Sequence, residues 1–300
     1  MERRRNYLIA GCNGQFGSVI GKKLRASGAV VCGLDLGESQ LLTNSYDRYV
    51  QGSISDPSDT VLAAVKNADC TILCVPEPVV LETLPKILPF VEPGACVADI
   101  ASVKSRIASV IGDYSGPAGY LSLHPMFAPV DDFSNRNVVV VHLRPNDATS
   151  SVMEMIVSWG ARITSITAQE HDRLMSYVQV IPHALILTFG SMLSRSGISI
   201  DELQSVATPV TTQMLTLLSH LLVGGDDTYW SIQTDNPFAV GARQEARDAL
   251  DSVSALYEGL QIGDYSEFIA QLSSFVGSEA QILYDKSESI DEIIFKEILE

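Results

Sequence analysis

Three sets of residues in this 300-residue chain have types and spacings that could do chemistry. The first is LIAGCNGQFGSVIGKKL, residues 8–24, where Gly11, Gly14 and Gly17 interrupt an apolar run that re-emerges as a helical pattern. A strand ending in a glycine turn at the start of a helix leaves backbone N–H groups pointing outward, and the helix dipole adds partial positive charge, so the turn can seat a pyrophosphate. In a GxGxxG fingerprint the three glycines make the tight turn, admit the phosphate and let the helix pack on the strand. If Gly14 and Gly17 are the second and third, the first position falls on Cys12, with Gly11 one residue early. Asn13 could then adopt a left-handed conformation at modest cost, which makes a slightly remodelled turn feasible; a flexible loop or plain strand–helix junction is the alternative. Asp35 ends the next apolar run, VVCGLDL, at a spacing suited to a carboxylate on ribose hydroxyls. It would repel a 2′-phosphate, and Leu36-Gly37-Glu38 supplies no arginine, so NAD is the expected dinucleotide. A turn-forming Asp at a strand end is the competing explanation of Asp35.

The second set is DIASVKSR (99–106) and LHPMFAP (123–129), which place Ser102, Lys104 and His124 just past strand ends. Open α/β sheets bind ligands at that edge. The third is EHDRLMSYVQVIPHAL (170–185), a helix on which Gln179 and His183 are four apart and share a face. Singly, each has a plain structural reading: Ser102 as a helix cap, Lys104 as a surface charge, His183 as a satisfied core histidine. Together they would line one cleft.

The elements that must position these residues follow from periodicity. Apolar strand-like runs (YLIAG, VVCGLDL, RYVQGSI, CTILCVP, ACVADIA, GYLSLHP, NVVVVHL and RITSITA) alternate with segments such as DTVLAAVKNA and SVMEMIVSWGA, whose apolar residues recur every three to four positions. This is the βαβ rhythm of a doubly wound sheet. After Thr167 the strand signals stop. The expected organisation is therefore α/β, a Rossmann-like doubly wound domain over 1–167 followed by an all-helical domain over 168–300 that pairs two copies into a homodimer. The nucleotide site would comprise Gly11, Asn13, Gly14, Gln15, Phe16, Gly17 and Asp35, with Val75, Pro76 and Ala101 at later strand ends. The acidic tail DKSESIDEIIFKEILE reads as a solvated amphipathic helix.

Composition limits the partners. A formal net charge of −16 argues against nucleic acid, whose phosphates need concentrated Lys and Arg, while a few local cations suffice for a small anionic substrate. The basic MERRRN is followed by a strand-like segment rather than a signal-peptide core, and no apolar run is read as approaching membrane-spanning length. The five cysteines lie singly in apolar surroundings, too isolated from other ligand types for zinc. A cytoplasmic protein without metal or membrane is expected.

Over nearly its whole length the chain resembles the prephenate/arogenate dehydrogenase family. The resemblance rests on the glycine turn 11–17, D-x-x-S-V-K at 99–104, HPMF at 124–127, W-G-A-R-I at 159–163 and E-H-D…Y-V-Q…H at 170–183. It implies oxidative decarboxylation of a small anionic cyclohexadienyl substrate: NAD takes hydride from ring C4, the ring carboxylate leaves as CO₂ and the ring becomes aromatic. It also implies His124 as catalytic base, Ser102 orienting that histidine and the C4 group, His183 near the substrate side chain with Gln179 beside it, and His171 as a structural hydrogen-bonding residue. The chain departs from the pattern where an arginine for a substrate carboxylate is expected. Tyr229, Trp230, Ser231 and Asn236-Pro237 occupy that region, and no arginine comes before Arg243. Trp230 and Arg243 are the substrate-binding residues expected there, with Arg247 an alternative. Prephenate is the first substrate implied; 4-amino-4-deoxyprephenate and arogenate fit the same chemistry, and a redox-inactive NAD-binding sensor or scaffold is the reading from another class.

Overall fold

A computed structural model describes residues 4–38, 45–224, 226–259 and 261–298. The first three residues of the basic N-terminus and the last two of the acidic tail lie outside the described residues. The strands are β1 (Asn6–Ala10), β2 (Val30–Asp35), β3 (Arg48–Gln51), β4 (Cys70–Leu73), β5 (Cys96–Asp99), β6 (Gly119–Pro125), β7 (Asn137–Arg144) and β8 (Arg162–Ser165). They form one sheet in the order β3-β2-β1-β4-β5-β6-β7-β8. The first six are parallel and follow the Rossmann order. No helix separates β6 from β7, so β7 returns antiparallel to β6, which the βαβ rhythm alone does not predict.

Both faces of the sheet are covered, which is why its inner strands read as nearly continuous apolar runs. Leu8 and Ala10 point to one side with Val61 and Val65 of α2 (Asp59–Lys66), Val80 and Leu84 of α3 (Glu77–Ile87), and Ile107 and Ile111 of α4 (Ser105–Gly112). Their neighbours Tyr7 and Ile9 point to the other, with Ile20 and Leu24 of α1 (Gln15–Ala26) and Val152 and Ile156 of α5 (Asp147–Ser158). Of the cysteines, Cys12, Cys70 and Cys96 are buried, Cys32 and Cys74 half-buried, and all are free thiols.

From α6 (Ala168–Met175) onward the described residues are helical: a π turn over Ser176–Val180, then α7 (Ile181–Ser196), α8 (Ile200–Ser205), α9 (Pro209–Val223), α10 (Asp226–Thr234), α11 (Ala239–Glu258), α12 (Ile262–Val276) and α13 (Glu279–Ile298). The chain forms two compact units, Met1–Met175 with Trp230–Pro237, and Ser176–Tyr229 with Phe238–Glu300. The division thus falls eight residues after the 167/168 boundary read from the sequence, because α6 carries His171 and Asp172, whose partners lie on the sheet side.

The expectation about membrane-length segments needs correction. The continuous helix Ala168–Ser196 is 29 residues long, enough to span a membrane by length and composition. Its first turns nevertheless carry Glu170, His171, Asp172 and Arg173, and the middle pair is buried in a polar network of the first unit. Ionised groups committed in this way are unfavourable in hydrocarbon.

Candidate active site

The first unit collects its chemistry at the carboxyl edge of the sheet. At the end of β1, Gly11 is left-handed (φ +80°), and a Cβ there would lie 2.2 Å from the Cys74 carbonyl oxygen. A Cβ on Gly17 would lie 2.1 Å from the Gly11 oxygen, so only glycine lets α1 approach the strand this closely. Among the described residues Asn135 is the non-glycine with positive φ; the left-handed residue of the turn is therefore Gly11 and not Asn13. Asn13 instead donates its backbone N–H to Asp35 Oδ2 at 2.9 Å, and Leu36 N–H donates to Oδ1 at 2.8 Å. The predicted Asp35 is thus tied to the turn itself. Gly14 is the N-cap of α1 and provides no side-chain cap, and the first turn, with Gln15 and Phe16, holds no acidic residue. Its amides and dipole suit an anion. Val75 borders Gly11, with Cγ1 3.1 Å from the position of a Cβ on that glycine, Pro76 is the N-cap of α3, and Ala101 is buried past β5. The residues present therefore fit a dinucleotide.

His124, at the end of β6, is buried. Its Nδ1 lies 2.9 Å from His171 Nε2, and His171 Nδ1 lies 2.7 Å from Asp172 Oδ1. Asp172 also accepts the Lys104 N–H (2.9 Å) and the Ser105 N–H (2.8 Å), and the Ser105 hydroxyl bonds the same carboxylate. These donors are the first-turn groups of α4, whose own N-cap residue Lys104 supplies no side-chain cap. Asn236 Nδ2 donates to the Asp172 carbonyl at 2.8 Å, just ahead of the π turn. Ser102 is half-buried and makes no side-chain hydrogen bond among the described residues, while His124 meets His171.

Lys104 is fully buried, which removes its surface-charge reading. Its Nζ donates to Asp99 Oδ1 at 3.2 Å and to the Leu123 carbonyl at 2.6 Å, immediately before His124. Asp99 further accepts from the Tyr120 hydroxyl (3.0 Å) and the Ala101 N–H (2.9 Å). Burial, the Lys104 charge and the His171 ring hold the His124 pKa well below the usual histidine range, so the imidazole is neutral at neutral pH. His171 is lowered as well, mainly by burial. Burial would raise Asp172, but the hydrogen bonds from His171, Ser105 and the Lys104 and Ser105 amides bring it below the ordinary aspartate value.

Phe127 of HPMF meets Phe16 of α1 edge-on, with ring centroids 6.2 Å apart, linking the His124 loop to the glycine turn. Trp230 belongs to the same unit and is 70% exposed. In the helical unit, Gln179 sits in the π turn and not in the regular α-helix that its spacing from His183 assumed. His183 packs edge-on against Tyr229 at 5.1 Å, with Nδ1 buried and unpartnered. Arg243 is half-buried on α11.

Sequence reading missed the Lys104–Asp99 pair, the contacts of Asp172 with His171 and the start of α4, and one further group. Glu77, at the start of α3, is buried with neither carboxylate oxygen hydrogen-bonded, and its nearest cation is Arg106 at 4.0 Å. Burial raises its pKa to about 7, opposed by Arg106 and reinforced by Asp235, Asp172 and Asp99. The spacing of Asp99 and Lys104 in D-x-x-S-V-K was the available signal for the first pair; nothing local marks Glu77.

Comparison with known proteins gives a consistent set. Residues 20–165 match the family model described as prephenate dehydrogenase, nucleotide-binding domain. The 4-amino-4-deoxyprephenate dehydrogenase of Streptomyces pristinaespiralis is 32% identical over 270 residues, covering 90% of each chain. Arogenate dehydrogenase of Synechocystis superposes with a TM-score of 0.71 at 20% identity, over 90% of this chain and 98% of that one. Prephenate dehydrogenase of A. aeolicus, in complex with hydroxyphenyl propionate and NAD+, gives 0.69 at 16% identity, over 92% and 99%. The last two speak for the fold.

Proposed function

This chain belongs to the prephenate dehydrogenase family, and from that premise we propose that it is an NAD-dependent oxidoreductase that oxidatively decarboxylates a prephenate-type cyclohexadiene. The observation that carries the reading is the buried His124 at the sheet edge, kept neutral chiefly by that burial and with Nδ1 2.9 Å from His171 Nε2. Loss of hydride from ring C4 takes a bonding pair off the ring, and loss of CO₂ returns one, so the ring ends aromatic and electrons balance. The proton on the C4 heteroatom is consequently held rather than consumed. His124 takes it while positive charge develops on that atom, and burial keeps water from competing. NAD, when bound, accepts the hydride; the glycine turn, the first-turn amides of α1 and Asp35 are the groups that would hold it.

Prephenate, giving 4-hydroxyphenylpyruvate, is the substrate proposed first. A second reading, 4-amino-4-deoxyprephenate, is favoured by the 32% identity to an enzyme named for it. The same purified protein, mixed with NAD and each of prephenate, the 4-amino compound and arogenate, should produce reduced nicotinamide absorbance, and the largest kcat/KM names the substrate. No signal with any of the three overturns the enzyme reading in favour of a sensor or scaffold. His124→Asn should keep dinucleotide binding and lose about 10²–10⁴ in turnover, the scale of a general base. We further propose a cytoplasmic homodimer paired through the helical unit, whose Leu222, Val223 and Phe275 are exposed apolar groups; sedimentation should give twice the chain mass.

A further inference from the structure

We propose that Asp172, acting through His171, is a positioning residue that sets the hydrogen-bond sense of both imidazoles, so that Nε2 of His124 is the atom that takes the proton. The inference rests on the reading of His124 as the base.

Donor and acceptor accounting carries it. Asp172 Oδ1 accepts from the Lys104 N–H and faces His171 Nδ1, while Oδ2 accepts from the Ser105 N–H and hydroxyl. Both oxygens face donors and both sit at the N-terminus of α4, so the group is a carboxylate with no proton to give. His171 Nδ1 must therefore carry the hydrogen in its 2.7 Å contact. In a neutral ring this makes Nε2 of His171 an acceptor. The 2.9 Å contact between the two rings then requires the hydrogen on Nδ1 of His124, because two bare ring nitrogens do not approach so closely. Nε2 of His124 is left with the lone pair. The opposite sense needs a protonated His171, and the groups around it oppose that: it is buried, and the Lys104 ammonium lies nearby, outweighing the pull of Asp172 and Asp99. Once His124 takes a proton, the Asp172 charge compensates the imidazolium through the intervening ring, in the manner of the carboxylate of a catalytic triad.

Asp172 also caps α4, and a cap alone would account for its burial. The two roles separate in substitutions. In Asp172→Asn an oxygen at the Oδ2 position still accepts from the Ser105 N–H and hydroxyl, while an NH₂ at the Oδ1 position leaves the Lys104 N–H without its acceptor and donates to His171 Nδ1, which reverses both rings and leaves the hydrogen on Nε2 of His124. Asp172→Ala removes the cap yet imposes no sense on the rings. Relay control thus predicts that the Asn variant is the more stable and the less active of the two, with turnover lower than wild type by about 10³–10⁴ at unchanged dinucleotide affinity. A cap alone predicts that activity follows stability.

The wild-type test needs no variant to be active. With ¹⁵N-labelled histidine, and the His124 signals assigned by their absence in His124→Asn, NMR at neutral pH should show a protonated Nδ1 and a bare Nε2 in both His124 and His171. Hydrogen on Nε2 of His124, or an Asn variant as active as the Ala variant, overturns the proposal. Retained turnover in His124→Asn would instead overturn the base reading on which it rests, even with the tautomers as stated.

Discussion

Replacing Lys104 by Met probes the site and its foundation together. The Lys104 ammonium and the Asp99 carboxylate are 3.2 Å apart with both side chains 0% exposed, so their attraction is about 5 kcal/mol at an effective dielectric near 20. Desolvation offsets part of the pair's net worth, but removing one member leaves the other buried and uncompensated, at a cost of about 3–5 kcal/mol. The Leu123 carbonyl loses its donor as well. Lys104→Met is therefore expected to lower the unfolding free energy by about 3–5 kcal/mol in urea titration. The change has a kinetic signature too. The Lys104 charge helps depress His124, so its loss should move the acid limb of the kcat–pH profile upward, toward the ordinary histidine range. Adding Asp99→Asn should recover part of the stability, since the pair is then removed rather than broken. A loss below about 1 kcal/mol with an unmoved acid limb would show that the lysine neither carries a paired charge nor acts on His124.

Two further perturbations read other parts of the edge. Gly17→Ala forces a Cβ to within 2.1 Å of the Gly11 oxygen and should lower both thermal stability, by about 1–3 kcal/mol, and NAD affinity, whereas Gly14→Ala meets only a 3.2 Å contact and should weaken NAD binding at nearly unchanged Tm; equal effects of the two in calorimetry and dinucleotide titration would refute the turn geometry. Glu77 has a folded pKa raised from 4.5 to about 7, so the ionised form is disfavoured in the folded state and this group's stabilisation is present below about pH 4.5 and lost as pH rises to about 7. Glu77→Gln should therefore match the wild type at pH 5 and exceed it at pH 8 by up to ~3 kcal/mol in urea unfolding; an identical difference at both pH values would count against a buried, unpartnered carboxylate.

What the sequence disclosed and withheld has a physical pattern. The inner strands were visible because strands covered on both faces read as apolar runs, whereas the edge strands β3 and β8 are exposed or half-buried and were read from short mixed segments. Asp35 was visible because its spacing from the glycines reflects one βαβ unit. The turn was misjudged at Asn13, since only the closeness of Cys74 to Gly11 decides which residue goes left-handed. Lys104 was hidden because S-V-K-S-R looks like an exposed helix start; its burial depends on a carbonyl at Leu123, 19 residues on. The His124–His171 contact spans 47 residues, and E-H-D at the start of a helix resembles a solvated first turn. Local pattern reports what a segment buries, and these polar partners arrive from elsewhere in the fold.

The two polar networks at the sheet edge meet in one residue. The backbone N–H of Lys104 donates to Asp172, which orients His171 and through it His124. Its side chain donates to Asp99 and to the Leu123 carbonyl, fixing the strand on which His124 sits. The same residue therefore constrains the ring through its hydrogen-bond partner and through its backbone, so neither can shift without straining the other. Charge follows the same logic. An ammonium this close to His124 would make an isolated imidazole a poor proton acceptor, and the Asp172 carboxylate behind His171 restores the balance when the proton arrives. Placing the cation beside the base and the anion behind it keeps His124 neutral at rest and chargeable in the reaction, which is what a base that holds a proton and then returns it requires.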